Sequence, residues 1–138
     1  MTIVGAHVAP DQPLETARAV GAERVQIFLS DPQGWRKPDP RDDAQELRDS
    51  AVPLYVHAPY LINVCSPKNN VRHGSRKILQ QTCDAAADVG ATAVIVHAGH
   101  AEDGIPEGVG RWVRSLELLE SEVTVLIENT AGGDNAVG

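Results

Sequence analysis

Two histidines and a glutamate, His57, His97 and Glu128, are residues of the right types to share one metal ion. Each stands at or near the end of a short run rich in Val, Ile and Leu: Pro53–Ala58, Thr92–His97 and Val123–Glu128. A pair of imidazoles with one carboxylate suits zinc and leaves coordination positions open for water. Zinc held in this way lowers the pKa of a bound water until hydroxide is available near neutral pH. That hydroxide can attack an electrophile such as a phosphodiester. The residue types alone leave a second reading open, in which buried strand-end histidines only hydrogen-bond backbone carbonyls.

These residues can meet only if the elements carrying them run parallel and end on the same side. The runs Thr2–Val8, Arg24–Leu29, Pro53–Ala58, Thr92–His97 and Val123–Glu128 are bounded by Gly, Pro or polar residues and read as buried strands. Helical patterns fill the gaps. Asp11 is placed to cap a first helix that has Pro13 in its first turn and Gly21 as its stop. Asp42–Asp49 reads as a short second helix with Ala44 and Leu47 on one face. A third spans about Ser75 to Val89, with Ile78, Leu79, Cys83, Ala86 and Val89 as its stripe and Gly90 ending it. In the fourth, Val109, Trp112, Val113, Leu116 and Leu119 recur at helical spacing and predict the packed face, with Trp112 in the core.

Strand and helix alternate four times before a fifth strand, which is an α/β pattern with parallel strands. A doubly wound dinucleotide-binding sheet would carry a glycine-rich turn after its first strand, whereas that turn here is Val8-Ala9-Pro10-Asp11. Polar or ionisable residues at the strand ends, His7, Ser30, His57, His97 and Glu128, instead fit a barrel that collects its chemistry at one mouth. The expected fold is therefore a (β/α)8 TIM barrel, represented by five parallel strands and four helices. A closed barrel of this kind needs about eight strands and 200 or more residues. Residues 1–138 are accordingly expected to be one truncated half-barrel, with the C-terminal half absent. Alone, such a half leaves strand edges and apolar faces without partners, and it is expected to be neither stably folded nor active.

Composition narrows the setting. The chain is 42% hydrophobic and 22% charged, ordinary for a soluble globular domain. No apolar run approaches the roughly 18 residues of a membrane-spanning helix. Met1–His7 lacks the basic start and cleavage site of a secretory signal. Cys65 and Cys83 are too few for a disulfide framework, and we expect small buried side chains in a reducing cytoplasm. A net charge of −7 argues against a chain-wide nucleic-acid footprint. Yet Ser50–Cys83 contains no Asp or Glu while holding Lys68, Arg72, Arg76 and Lys77. That segment either faces a phosphate backbone or is a solvated helix face.

Segments at the successive strand ends share one likeness. Val56-His57-Ala58-Pro59-Tyr60-Leu61-Ile62-Asn63 resembles a signature of the endonuclease IV family, in which His is followed after two residues by Tyr-Leu-Ile-Asn. Gly5-Ala6-His7-Val8, then Gln26-Ile27-Phe28-Leu29 leading to Trp35, resemble that family's first two strands. Val96-His97-Ala98-Gly99-His100 and Leu126-Ile127-Glu128-Asn129-Thr130-Ala131-Gly132 resemble its fourth and fifth. The resemblance implies the xylose isomerase-like type of TIM barrel and a hydrolase that nicks double-stranded DNA 5′ to abasic sites during repair. It implies a cluster of three zinc ions, with His57 and His97 as ligands and Glu128 as a bridging ligand at the reacting centre. It also implies DNA contacts at Tyr60, which would fill the gap in the base stack, at Leu61 and Asn63 beside it, and at His7, Gln33 and Trp35. The resemblance further implies action as a monomer.

Two departures stand out. Gln33 occupies the place where some members carry a wedging arginine. The later motifs of the family (Asp-Thr-Cys-His, His-x-Asn-Asp, a His near Gly-Glu-Gly and a last-strand Glu) have no counterpart, so these residues complete at most one zinc site. His100 stands too close to His97 in sequence to be given a ligand role. Two other readings remain at this level: a metal-dependent sugar isomerase or epimerase of the same barrel group, and a non-catalytic remnant. An exposed Tyr60-Leu61 pair beside a basic segment favours the nuclease over a small-sugar pocket.

Overall fold

The computed structural model describes Met1–Gly138. Strands β1 (Gly5–His7), β2 (Arg24–Phe28), β3 (Leu54–His57), β4 (Ala93–His97) and β5 (Thr124–Glu128) form one sheet in sequential order, each parallel to its neighbours. Between them run α1 (Pro13–Val20), α2 (Ala44–Asp49), α3 (Asn69–Asp88) and α4 (Ile105–Leu118). This is the expected arrangement of five parallel strands and four helices. No helix is long and apolar enough to cross a membrane.

Alternation along the strands sorts the chain into two faces. Val25 and Ile27, Leu54 and Val56, and Val94 and Val96 turn toward the helices and are buried in one cluster with Leu14, Ala17, Leu47, Leu79 and Trp112. The opposite parity places Gln26, Phe28, Tyr55, His57, Ile95, His97 and Glu128 on the other face. Fully burying one Val or Ile side chain is worth about 1.5–3 kcal/mol. A slip of one residue would expose that row and bury the polar one, so the core itself holds the register. In that register Phe28 stands beside His57, His57 beside Ile95, and His97 beside Glu128. The chemistry therefore collects along one rim.

Element ends depart from the sequence expectation in instructive places. No side chain caps α1; Gln12, at φ 51°, takes the cap position expected for Asp11. Pro13 has no N–H to satisfy at that end, which lessens the need for a capping oxygen. Gly21 does end the helix, at φ 70°. Helix α3 begins at Asn69 rather than Ser75, because its first turns are secured by polar contacts that leave no apolar stripe. The Arg72 guanidinium donates to the carbonyls of Ser66 and Pro67 at 2.8 and 3.1 Å. Gly74 lets the Trp35 ring lie against this stretch, where a Cβ would come within 3.3 Å of the indole.

Helix α4 packs on a different face from the one its apolar stripe predicts. Trp112 is buried as expected, but the other buried residues are Gly108 and Ser115. Val109, Val113 and Leu116 are exposed, as are Leu126 and Ile127 of β5. The small side wins because the helix is drawn close to the loop after β4: a Cβ on Gly108 would meet that of Ala101 at 2.7 Å.

Candidate metal centre at the strand ends

His57 closes β3 with its ring almost wholly buried. Its Nδ1 donates to the Ala58 carbonyl at 2.7 Å. A carbonyl only accepts, so this bond puts a proton on Nδ1, and in the neutral ring Nε2 then carries the free lone pair. That Nε2 lies 3.1 Å from Glu128 Oε2, and His97 Nε2 lies 3.2 Å from the same oxygen. All three potential ligand atoms fall within 4.8 Å of one another. Side-chain exposure rises from 6% at His57 through 32% at His97 to 49% at Glu128. The set is thus rooted in the sheet and open to solvent on the β5 side.

A lone pair facing a carboxylate oxygen is repulsive unless a proton or a cation lies between them. A proton links one pair of atoms at a time, whereas here three donors converge. The donor set fits a divalent cation such as zinc, with the Ala58 carbonyl orienting one ligand ring from behind. The bland reading explains the Nδ1 side of His57 but not the convergence of both Nε2 atoms on Glu128.

A layer of rings lies over this set. Tyr60, 49% exposed, rests its ring on Phe28, His57 and His97 at centroid distances of 5.2, 5.4 and 5.3 Å. Its backbone N–H donates to the Pro32 carbonyl at 2.7 Å, tying the loop after β3 to the loop after β2. Leu61 is half-buried beside it and lines a cleft of about 380 Å³ that also reaches His97 and His100. Gln33 and Trp35 are exposed on the loop after β2. His7, exposed at the end of β1, accepts from the Gln26 amide at Nδ1 (2.7 Å) and stacks 4.8 Å from Phe28. Partial burial lowers its pKa and favours the neutral ring. Asn63 turns its amide inward, onto the backbone of Cys65 and His100. The largest cavity, about 710 Å³ between the loop after β2 and α2 and α3, contains none of the expected site residues.

Residues 14–138 match the family described as xylose isomerase-like TIM barrel. The chain belongs to the xylose isomerase-like TIM barrel family. It is 58% identical over 137 residues to a protein of Mycobacterium marinum named probable endonuclease 4, an alignment covering 98% of this chain and 54% of that protein. The crystal structure of endonuclease IV from Thermus thermophilus superposes with a TM-score of 0.81 at 27% identity, over 99% of this chain and 55% of that one. Another Thermus thermophilus protein, solved with ZnCl2 soaking, superposes with a TM-score of 0.64 at 26% identity, over 94% of this chain and 57% of that one. The chain spans about half the length of the curated relatives it matches. These likenesses bear out the barrel type and the endonuclease IV resemblance read from the strand ends.

For a member of this barrel family, two features of the rim escaped the sequence. Strand β2 ends at Phe28, one residue short of the expected Leu29, and Phe28 rather than Ser30 occupies the inward strand-end position as the ring between His7 and His57. Alternation with Gln26 marks Phe28 as inward-facing but marks Ser30 equally, so only the strand's end separates them. The basic segment is also mostly committed within the chain. Lys68 faces Glu102 at 3.5 Å, and Arg76 Nε donates to Ser115 Oγ at 2.8 Å. Burial, followed by the nearby Arg72 and Arg114 charges, lowers the Arg76 pKa. Lys77 borders a pocket with Trp35 and Lys37.

Proposed function

We propose that this chain supplies the first half of a zinc-dependent DNA-repair endonuclease that hydrolyses the phosphodiester 5′ to abasic sites. The observation that carries the reading is the meeting of His57, His97 and Glu128 within 4.8 Å, beneath a half-exposed Tyr60, in a chain similar to proteins named endonuclease 4. His57 and His97 through Nε2, and Glu128 through Oε2, would hold zinc, which when bound supplies Lewis acidity and a water of lowered pKa. The three residues complete one ion site at most. The cluster of three zinc ions implied by the resemblance, with Glu128 as a bridge, needs ligands beyond those present here, and turnover is proposed to need them too.

The chain's own residues prepare the site in separable ways. The Ala58 carbonyl keeps the His57 proton away from Nε2. Tyr60 offers a ring face at the mouth, where a base-sized gap in a stacked duplex can be filled, with Leu61 as its apolar flank. Removing a nucleotide from the stack costs least where its base is already missing. His7 at the end of β1, and Gln33 and Trp35 on the loop after β2, are proposed to meet the duplex beside Tyr60. The proposed setting is the cytoplasm, acting as a monomer on double-stranded DNA.

The test compares the zinc-loaded chain, alone and extended by the second half of the Mycobacterium marinum relative, on duplexes with and without one abasic site. The extended protein is expected to cut 5′ to the abasic site, and His57→Ala, His97→Ala or Glu128→Gln to abolish cutting. The chain alone is expected to give no multiple turnover. Cleavage by the extended protein that survives His97→Ala, or that ignores the abasic site, overturns the proposal.

A further inference from the structure

We propose that Asn63 is a positioning residue of the metal centre: its amide locks the loop after β4 to the loop after β3 and so sets His97 against His57. The inference rests on the reading of His57, His97 and Glu128 as metal ligands. The sheet alone does not make this connection. Pairing between β3 and β4 ends at His57 and Ile95, with one further bond from Ala58 N–H to the Ile95 carbonyl at 2.8 Å. His97 lies beyond that point and pairs only with Glu128 on the far side.

Asn63 supplies the missing tie with one side chain. Its Nδ2 donates to the His100 carbonyl at 3.0 Å, and its Oδ1 accepts from the N–H groups of Cys65 at 3.2 Å and His100 at 3.4 Å. Both polar groups of the His100 backbone are thereby held by a residue in the loop that leaves His57. Asn63 is itself anchored, since its backbone N–H donates to Ser75 Oγ on α3 at 2.8 Å. Gly99 makes the close approach possible. It sits at φ +78°, and a Cβ there would stand 2.5 Å from Asn63 Oδ1. The neighbouring Ala98 carbonyl, directly after His97, is held from the same side by Cys65 Sγ at 3.0 Å and Trp112 Nε1 at 2.7 Å.

The test takes the chain extended by the second half of the Mycobacterium marinum relative and titrates it with zinc against a chromophoric chelator and, separately, with cobalt(II) as a spectroscopic probe of ligand geometry. His97→Ala examines the metal reading on its own. If it binds both ions like the unaltered chain, the metal reading fails and the inference with it. Given loss of binding in His97→Ala, Asn63→Ala is expected to weaken zinc about tenfold and to shift the cobalt bands, as removal of an orienting partner does. Thr82→Ala, which removes a buried hydroxyl on α3 that donates to the Ile78 carbonyl, is expected to lower the unfolding midpoint without moving those bands. Gly99→Ala should also weaken zinc, but by a smaller factor when combined with Asn63→Ala, because the atom it would strike is then gone. Zinc affinity within twofold of the unaltered chain and unshifted cobalt bands in Asn63→Ala would overturn the positioning role alone. So would losses for Asn63→Ala and Gly99→Ala that simply multiply.

Discussion

Replacing Tyr60 by alanine separates the support this ring receives from the service it offers. The residue is 49% exposed, so about half its surface is buried against Phe28, His57 and His97. Fully buried aromatic side chains cover about 150–250 Å², so the buried half amounts to about 100 Å². At about 25 cal/mol per Å², its loss costs about 2.5 kcal/mol, and the edge-on ring contacts bring the total to about 2–4 kcal/mol. Its hydroxyl has no hydrogen-bond partner within the chain, so Tyr60→Phe is expected to cost less than about 0.5 kcal/mol. Urea unfolding of the chain extended by the second half of its relative, followed by tryptophan fluorescence, measures both, with an unchanged slope as the check that only stability moved. Binding is the second readout. If the ring fills the gap at an abasic site, Tyr60→Ala forfeits about 1–3 kcal/mol of stacking, or about fivefold to 150-fold in affinity, on abasic duplex and much less on intact duplex. A stability cost below about 1 kcal/mol would show that the ring is not seated on the histidines. Equal weakening on both duplexes would remove the gap-filling role.

The pH profile offers a check on the scaffold. Arg41 holds Asp43 through two bonds of 2.7 Å, and these hydrogen bonds depress the Asp43 pKa below the usual carboxylate value. The stability this contributes is fully present above the unfolded carboxylate pKa of about 4 and is lost as pH falls through the lower folded value. Asp43→Asn should therefore flatten the stability profile below about pH 4, and an unchanged acid limb would refute the coupling. Burial pushes the Cys65 thiol up to about 11, and Cys83 is raised by the same cause. Titration with a thiol-reactive disulfide at pH 8 should label neither cysteine in the native chain and both in urea; prompt native labelling of either would contradict the burial of both.

The sequence by itself carried the order of elements and the three residues that meet at the strand ends. Alternating apolar runs and helical stripes were enough for the parallel strands, because β2, β3 and β4 each bury their own helix-facing row whatever their distant neighbours are. The strand-end positions of His57, His97 and Glu128 were legible for the same reason: a strand end is a local property, and parallel order puts all such ends on one rim. Trp112, Cys65 and Cys83 as buried residues followed from their local patterns as well.

What the sequence could not show depends on approach between distant segments. The buried face of α4 was decided by how closely Gly108 is drawn to Ala101, not by the apolar stripe of Val109, Val113 and Leu116. The early start of α3 came from the Arg72 guanidinium reaching loop carbonyls, which no periodicity records. Phe28 took the rim position expected of Ser30 because β2 and its pairing with β3 end at Phe28, opposite His57, two residues short of Ser30. Asn63 was legible as part of a motif, but its direction was not. Only the folded loops bring the His100 backbone within 3.0 Å of its amide, since a hydrogen bond is satisfied by distance and angle in space rather than by separation along the chain.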